Sequence, residues 1–354
     1  MTILSLAAPI VLAVLKVATV ALVGFALARR GVLHETALSD ISSLVIKVTV
    51  PCLIFANAAG GFTGTSLASA GLAVVGAPLV LGLGWLGGIV LARVLRVQAG
   101  HWRAVLCAST FQNSAYLPIA VATAVLPPLA ALFPAGAATA TGAIGGNGVV
   151  FISLFGVLYS PLFWGLGLWF LSDGAAHDGA APWTRLLPPP VVGVLLGYAV
   201  GLTPLHLALT PTHAPLHFAF SAISDIGSLT IPLANLILGG MLAGAIAGRR
   251  WQWRDAATAA LAKLIWVPSA MFGLLWLCRG WWEHSAALSL AAFIVFLQSL
   301  TPPATNLAVM TRGRAMGASN LAPDVVPGLL LVTYPLSVLT MPLWLTLFFG
   351  MMGR

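Results

Sequence analysis

The chain contains very little charge. Only 7% of its 354 residues are Asp, Glu, Lys or Arg, whereas 60% are hydrophobic and the mean hydropathy is +1.01. A soluble domain carries about 25% charged residues, so this composition excludes a soluble globular fold. The net charge of +8 does not indicate a nucleic-acid partner, because the arginines lie in short loops between apolar runs and not along one stripe.

Cysteines are scarce and catalytic motifs are missing. Cys52, Cys107 and Cys278 lie in apolar stretches at unrelated spacings, which indicates neither a disulfide framework nor a metal site. The sequence has no HExxH, GxSxG or P-loop motif and no pair of carboxylates inside an apolar run. We therefore predict no enzymatic activity, no cofactor and no metal. A membrane-embedded enzyme and a non-transporting sensor are the alternatives from other functional classes.

Long apolar runs dominate the chain instead. Runs of about 17–25 residues are long enough to cross the hydrocarbon core as helices. We therefore predict an all-α membrane protein with ten transmembrane helices. The polar stretch 172–187 is a cytoplasmic linker between a first five-helix repeat (1–171) and a second (188–354). The ten predicted spans are residues 8–28, 39–58, 70–93, 104–126, 147–171, 188–203, 219–246, 256–278, 286–310 and 325–349.

Two of these spans contain matching polar breaks with proline. The break in span 4 covers residues 111–118, and the break in span 9 covers residues 296–306. The Phe, the Ser and the final Pro of the two breaks coincide at one shift of 185 residues, and the same shift matches residues 39–46 to 224–231 with six of eight identical. Because each half holds an odd number of spans, the halves are inverted relative to each other. We predict a 5+5 inverted repeat with two broken crossover helices, spans 4 and 9, whose breaks meet near the midplane.

Arginines in the loops orient the predicted spans. If every span crosses once, eleven arginines fall on one side and only Arg279 and Arg354 on the other. Cytoplasmic loops carry an excess of positive charge, so we expect both termini on the outer side. The eleven are Arg29, Arg30, Arg93, Arg96, Arg103, Arg185, Arg249, Arg250, Arg254, Arg312 and Arg314.

The breaks supply the candidate binding residues. An interrupted helix leaves N–H groups and partial positive charge at its new N-terminus, which favours an anion. Carboxamides hydrogen-bond a ligand without the cost of burying a charge. Broken spans in matching positions are typical of a transporter's substrate site, and a proline-kinked helix with locally satisfied polar groups is the structural alternative. The predicted binding residues are Asn113, Ser114, Pro118, Gln298, Thr301, Pro302, Pro303 and Asn306.

Four charged residues in or beside the spans are further candidates. Lys47 and Lys263 lie near the middle of spans 2 and 8, where a lysine costs about 2.5–3.5 kcal/mol on insertion scales. They either support an anionic substrate electrostatically or extend toward the membrane surface. Asp40 and Asp225 stand at equivalent span starts. Proton coupling is one interpretation of them, and helix capping, aided by the serine before each, is the favoured one.

Several short motifs give the chain a family resemblance. They are residues 48–55, residues 113–118, residues 231–233 with Gly239 and Gly240, Lys263 with Pro268, residues 302–306 and residues 342–344. With these motifs the chain resembles a bacterial member of the auxin efflux carrier family, which is related in fold to the bile-acid/sodium symporters. The resemblance covers nearly the whole chain.

The resemblance implies a ten-helix inverted repeat whose crossing spans bind a carboxylate, with a scaffold and a transport domain that move in an elevator-like cycle. It implies Asn113 and Asn306 as the main binding residues, with Pro118, Pro302 and Pro303 shaping the half-helices. Family substrates are auxin in plants and malate, malonate or similar acids in bacteria. We therefore expect a secondary transporter of small organic anions, carboxylates such as malate-like dicarboxylates or auxin-like acids, in the bacterial inner membrane.

The expected partners are a small carboxylate and the lipid bilayer, with a homodimer as the assembly to consider. The alternative function is a sodium-coupled, bile-acid-like organic anion symporter. Such a symporter needs clustered acidic and amide ligands for sodium, and we identify no such set in the sequence.

Overall fold

A computed structural model of the protein describes residues 3–60, 67–114, 116–129, 133, 143–171, 189–247, 252–312 and 325–352. The predicted linker 172–187 lies outside the described residues. In chain order the helices are α1 Ile3–Arg29, α2 Glu35–Leu44, α3 Val50–Gly60, α4 Leu67–Val94, α5 Trp102–Thr110, α6 Tyr116–Leu129, α7 Ala143–Pro161, α8 Leu168–Leu171, α9 Pro189–Gly201, α10 Leu205–Leu209, α11 His217–Ser228, α12 Thr230–Ala247, α13 Trp253–Leu261, α14 Val267–Leu277, α15 Arg279–Trp282, α16 Ala286–Leu300, α17 Asn306–Arg312 and α18 Val325–Met352.

Helix is present in each of the ten predicted spans, so the all-α class is confirmed. Two shorter apolar helical segments are also present: Ala18–Arg29, which is the C-terminal part of the 27-residue helix α1, and Ala286–Leu300. Ten crossings and the inverted repeat stay predictions. Six helical segments of the described chain are long and apolar enough to cross a membrane: Glu35–Ala56, Ala68–Val94, Phe151–Leu171, His217–Gly244, Trp253–Leu277 and Val325–Met352.

Within the described ranges, three π-helical turns widen the helices that they join: Val45–Thr49, Leu162–Gly167 and Ala262–Trp266. Pro51 and Pro268 stand two residues after the first and third of these turns. Proline lacks an N–H group and clashes with the carbonyl one turn back, and a π turn is one way in which a helix accommodates such an interruption. Each of the two turns carries one of the lysines singled out from the sequence.

The helices α3, α9 and α11 form one packed group, in which α3 contacts both of the others. Glycines in α9 permit this close approach. A Cβ atom at Gly193 would lie 2.5 Å from the carbonyl oxygen of Pro51, and one at Gly197 would lie 2.7 Å from the Cβ of Ala58. Small residues let membrane helices pack backbone to backbone.

A second group forms around α4, which contacts α5, α7 and α16. Within it, α16 is enclosed: every residue from Ser289 to Leu300 is buried. The end of α16 therefore delivers the second break to the interior of the protein, between the two helix groups.

Candidate functional site

Both predicted breaks are present. The helix α5 ends at Thr110 and α6 begins at Tyr116, whereas α16 ends at Leu300 and α17 begins at Asn306. The residue after each of the two ending helices, Phe111 and Thr301, has an extended backbone, with φ −91° and ψ 116° for Phe111 and φ −74° and ψ 141° for Thr301. The interruption of both helices is confirmed.

The two extended segments lie against each other. The backbone N–H of Asn113 donates to the carbonyl oxygen of Pro302 at 2.8 Å, and the N–H of Ala304 donates to the carbonyl oxygen of Phe111 at 3.0 Å. These two bonds enclose a single antiparallel bridge. The predicted contact between the breaks is therefore confirmed, whereas their position near the membrane midplane stays a prediction. We call the paired segments 111–114 and 301–305 the joined breaks.

The local sequence explains why α16 stops where it does. Pro302 and Pro303 have no N–H groups to continue a helix, so the carbonyls of the last turn need other donors. Side-chain hydroxyl groups supply some of them. Thr301 Oγ1 donates to the carbonyl oxygen of Gln298 at 2.9 Å, and Ser299 Oγ donates to that of Phe296 at 2.6 Å.

Side chains also tie the two breaks together. Gln298 Nε2 donates to the carbonyl oxygen of Ser114 at 2.8 Å. Asn113 Nδ2 donates to Tyr334 Oη at 2.9 Å, and Tyr334 Oη donates onward to the carbonyl oxygen of Pro303 at 3.2 Å. One tyrosine hydroxyl therefore connects a residue of the first break to one of the second.

Lys263 lies behind the first break and is fully buried. Its ammonium group donates to the carbonyl oxygen of Thr110 at 3.2 Å and to Gln112 Oε1 at 3.1 Å. Thr110 is the last residue of α5, where the helix dipole favours a cation. The interpretation that Lys263 extends to the membrane surface is wrong, because its side chain is fully buried and its ammonium group bonds inside the protein. No salt bridge joins Lys263 to a carboxylate within the described residues.

A cavity of about 90 Å³ opens beside the joined breaks. The helices α3, α6, α7 and α9 and the π turn Leu162–Gly167 form its other walls, so it lies between the two packed helix groups. No Asp or Glu is among its lining residues in the part of the chain that the structure describes. The polar lining residues are Gln112, Asn113, Ser114, Ser153, Tyr159, Ser160, Tyr198, Thr305 and Asn306.

Three polar groups in this lining are buried without a hydrogen-bond partner among the described residues. They are Gln112 Nε2, Thr305 Oγ1 and Asn306 Oδ1. An unsatisfied buried polar group costs about 1–3 kcal/mol, so such groups are normally satisfied by water or by a ligand. Because the N and O of an amide are interchangeable by a flip, Asn306 can offer a ligand either a donor or an acceptor.

The predicted binding residues divide into two sets. Asn113, Ser114 and Asn306 line the cavity. The others are buried within the joined breaks and their helix ends but are not part of the lining: Pro118, Gln298, Thr301, Pro302 and Pro303. Only the first set therefore lies where a molecule in the cavity would contact it; binding by either set stays a prediction.

The other charged candidates lie away from the cavity. Lys47, Asp40 and Asp225 are exposed and do not line it. Capping is the wrong interpretation of the two aspartates, because α2 begins at Glu35 and α11 at His217, which places both aspartates inside helices. Their predicted coupling role stays a prediction.

Sequence reasoning missed the tyrosines. The chain has only four, and three of them reach the site: Tyr159 and Tyr198 line the cavity, and Tyr334 links the breaks. Tyr159 Oη donates to the carbonyl oxygen of Gln112. The available signal for the tyrosines was that a rare aromatic residue able to form hydrogen bonds lies inside an apolar span. Gln112 was missed as well, and its signal was the pair of adjacent carboxamides that it forms with Asn113.

The chain is similar in sequence to known membrane transport proteins. The model of a family described as membrane transport protein matches residues 9–182 and 177–345. Similar curated proteins include the Arabidopsis thaliana proteins PIN-LIKES 3, which is 26% identical over 166 residues, and PIN-LIKES 5, which is 27% identical over 187 residues. An uncharacterized transporter of Schizosaccharomyces pombe is 28% identical over 164 residues.

Each of these alignments covers only part of this chain and part of the relative. They cover 46%, 52% and 46% of this chain and 40%, 44% and 36% of the three relatives, respectively. The chain thus matches less than half the length of each of these relatives.

Proposed function

This chain belongs to the membrane transport protein family, which is that of the auxin efflux carriers, and we propose that it is a secondary carrier of small organic anions whose substrate binds at the joined breaks. The observation that carries the proposal is the set of unpartnered groups on Gln112, Thr305 and Asn306 in one cavity. A ligand with several oxygen atoms satisfies donors and acceptors of this kind.

Electrostatics favour an anion over a cation. The helix α6 begins at Tyr116, two residues after the lining residue Ser114, and a helix N-terminus carries about half a positive charge. The ammonium of Lys263 lies one side chain behind the cavity wall, on Gln112. A carboxylate would therefore meet positive potential and amide donors, and no like charge on the lining side chains.

The size of the cavity favours a small acid. A water molecule needs about 10–15 Å³ of this kind of space, so 90 Å³ holds about six to nine water-sized groups. Three- or four-carbon dicarboxylates match that number, whereas the rigid body of a sterol acid exceeds it. Malate-like acids are therefore our preferred substrates, ahead of auxin-like acids and of the bile-acid-like, sodium-coupled alternative.

The position of the cavity suggests how transport proceeds. Its walls come from α3 and α9 on one side and from α7 and the joined breaks on the other. If the second group moves as a unit past the first, the substrate is carried across a fixed barrier, as in an elevator-type alternating-access cycle. We also propose that the chain crosses a bacterial inner membrane ten times and has both termini on the outer side.

A thermal-shift screen of the purified protein with mono- and dicarboxylates tests the binding site. A ligand at 100 times its Kd stabilises the folded state by about 2.7 kcal/mol. We expect Asn113→Ala and Asn306→Ala to remove most of this stabilisation and to abolish uptake in proteoliposomes. Asn235→Ala is the matched control, because Asn235 is buried in α12 and does not line the cavity.

Two results would contradict the proposal. One is equal ligand stabilisation in the control and in both cavity variants. The other is transport that stops when choline replaces sodium, which supports the sodium-coupled alternative instead.

A further inference from the structure

A second, larger cleft lies on the other side of the first break. Its volume is about 390 Å³, and its walls come from α4, the end of α5, the π turn Leu162–Gly167 and α8. Almost all of the lining is apolar, with Pro78, Trp85 and Phe111 among its residues. No residue of α4 or α8 lines the cavity beside the joined breaks, so the cleft and that cavity are separate.

The mouth of the cleft faces outward. Phe111 at its base is 4% exposed, whereas Trp85, Leu166 and Trp169 at its edges are 37%, 56% and 62% exposed. The flanking segments Ala68–Val94 and Phe151–Leu171 are both long and apolar enough to cross a membrane. An apolar cleft that opens at this depth faces lipid hydrocarbon, because polar groups and water are disfavoured there.

Positive charge lies at one end of the cleft. The Arg103 guanidinium stacks over the ring of Phe170, 5.6 Å from its centroid, and donates to the Phe170 carbonyl oxygen at 3.5 Å, and Phe170 lines the cleft. Arg93 is exposed in the last turn of α4. It stands eight residues beyond Trp85, which is about 12 Å along the helix at 1.5 Å per residue.

The two arginines lie on the same side of the predicted membrane, because the short loop 95–101 joins α4 to α5. That side is the one on which the loop arginines concentrate and which we assign to the cytoplasm. The apolar cleft thus has one arginine stacked on its lining residue Phe170 and a second about 12 Å beyond Trp85. This order matches a lipid, whose anionic phosphate lies at the polar end of its acyl chains.

We infer that the cleft binds an anionic phospholipid of the cytoplasmic leaflet, with one acyl chain between α4 and α8 and the phosphate beside Arg103 and Arg93. The acyl chain would pack on Phe111, whose carbonyl oxygen accepts the Ala304 N–H bond that joins the breaks. A bound lipid would therefore stabilise the backbone of the joined breaks through its contact with Phe111. This inference does not depend on the identity of the transported substrate.

Filling the cleft tests the inference. Gly82 lines it, and a Cβ atom added there meets no heavy atom within 4 Å, so Gly82→Phe fills the space without a backbone clash. Gly71→Phe is the matched control, since Gly71 is on the same helix, is equally open and lies outside the cleft. Gly82→Leu repeats the test with a smaller side chain if Gly82→Phe does not purify as a folded protein.

The measurement is native mass spectrometry of the full chain in detergent, titrated with dioleoyl phosphatidylglycerol or dioleoyl phosphatidylcholine. We expect the wild type and Gly71→Phe to retain one phosphatidylglycerol in preference to phosphatidylcholine. Gly82→Phe should bind it at least about tenfold more weakly. Arg103→Gln should reduce the preference for the anionic lipid while leaving phosphatidylcholine binding unchanged.

Several outcomes would overturn the inference. They are unchanged phosphatidylglycerol binding by Gly82→Phe, equal binding of the two lipids by the wild type, and an unchanged preference in Arg103→Gln. A dimer that Gly82→Phe dissociates would show that a second copy of the chain, and not a lipid, covers the cleft.

Discussion

Replacing Lys263 by methionine isolates the electrostatic part of the proposed site. Methionine is unbranched and flexible, so it occupies the space of the buried lysine stem. The change removes two hydrogen bonds from a charged donor, worth about 1.5–3 kcal/mol each. It also removes a buried charge that has cost several kcal/mol to desolvate. Because these effects oppose each other, we expect Lys263→Met to fold with a thermal midpoint close to that of the wild type.

The expected loss of anion affinity follows from distance. Lys263 Nζ is 3.1 Å from Gln112 Oε1, and the Gln112 side chain lines the cavity. The width of the Gln112 amide group and a hydrogen bond from its Nε2 to the ligand add to this distance. A bound carboxylate would therefore lie about 8 Å from the ammonium group. With an effective dielectric constant of about 20, a pair of unit charges at that distance attracts by about 2 kcal/mol. Loss of that attraction weakens binding of a singly charged acid by about 30-fold.

Isothermal titration of the purified protein with malonate, and with the neutral compound malonamide, measures this effect. We expect the Kd for the acid to rise in Lys263→Met, while the weak binding of malonamide stays unchanged. Lys47→Met is the control, because Lys47 also lies in a π turn of a span but is exposed. Equal affinity of Lys263→Met and the wild type for malonate, or an equal loss for malonamide, would refute the electrostatic reasoning.

Three further predictions concern contacts outside the lining. His101→Ala should lower the free energy of unfolding by about 1–3 kcal/mol, because His101 Nδ1 lies 2.6 Å from the buried carboxylate of Asp255; thermal melts against the exposed His284→Ala check this. Gly197→Leu should prevent stable folding, seen as aggregation in size-exclusion chromatography, because its side chain enters the backbone of α3. Tyr334→Phe should remove the hydroxyl group that links Asn113 Nδ2 to the carbonyl oxygen of Pro303. Because Asn113 is then held less firmly, acid binding should weaken by about tenfold in titration calorimetry, which is about 1.4 kcal/mol.

The sequence predicted the two breaks because their cause is local. Proline removes a donor wherever it stands, so Pro302 and Pro303 interrupt a helix whatever surrounds them. The partnership between the breaks was also predictable, since the repeated pattern places them in equivalent spans. Family membership was predictable from the same proline-containing motifs and is confirmed by the family match.

Other features depend on how whole helices pack. The choice between a buried and a surface position for Lys263 is decided by the rotation of its helix about its axis, which no residue pattern in that span specifies. Tyr334 reaches Asn113 across 221 residues of sequence, a contact that only the tertiary fold creates. Asp40 was misplaced at a helix start because helix α2 begins at Glu35, in a polar stretch that a search for apolar runs does not detect.

Binding of a small carboxylate at the joined breaks can be observed in a cryo-electron microscopy map of the protein at a saturating concentration of a dicarboxylate that stabilises it. We expect density for the acid within hydrogen-bonding distance of Asn306 and Gln112, in the cavity beside the paired segments 111–114 and 301–305. Acid density elsewhere in the protein, with this cavity closed or filled by side chains, would contradict it.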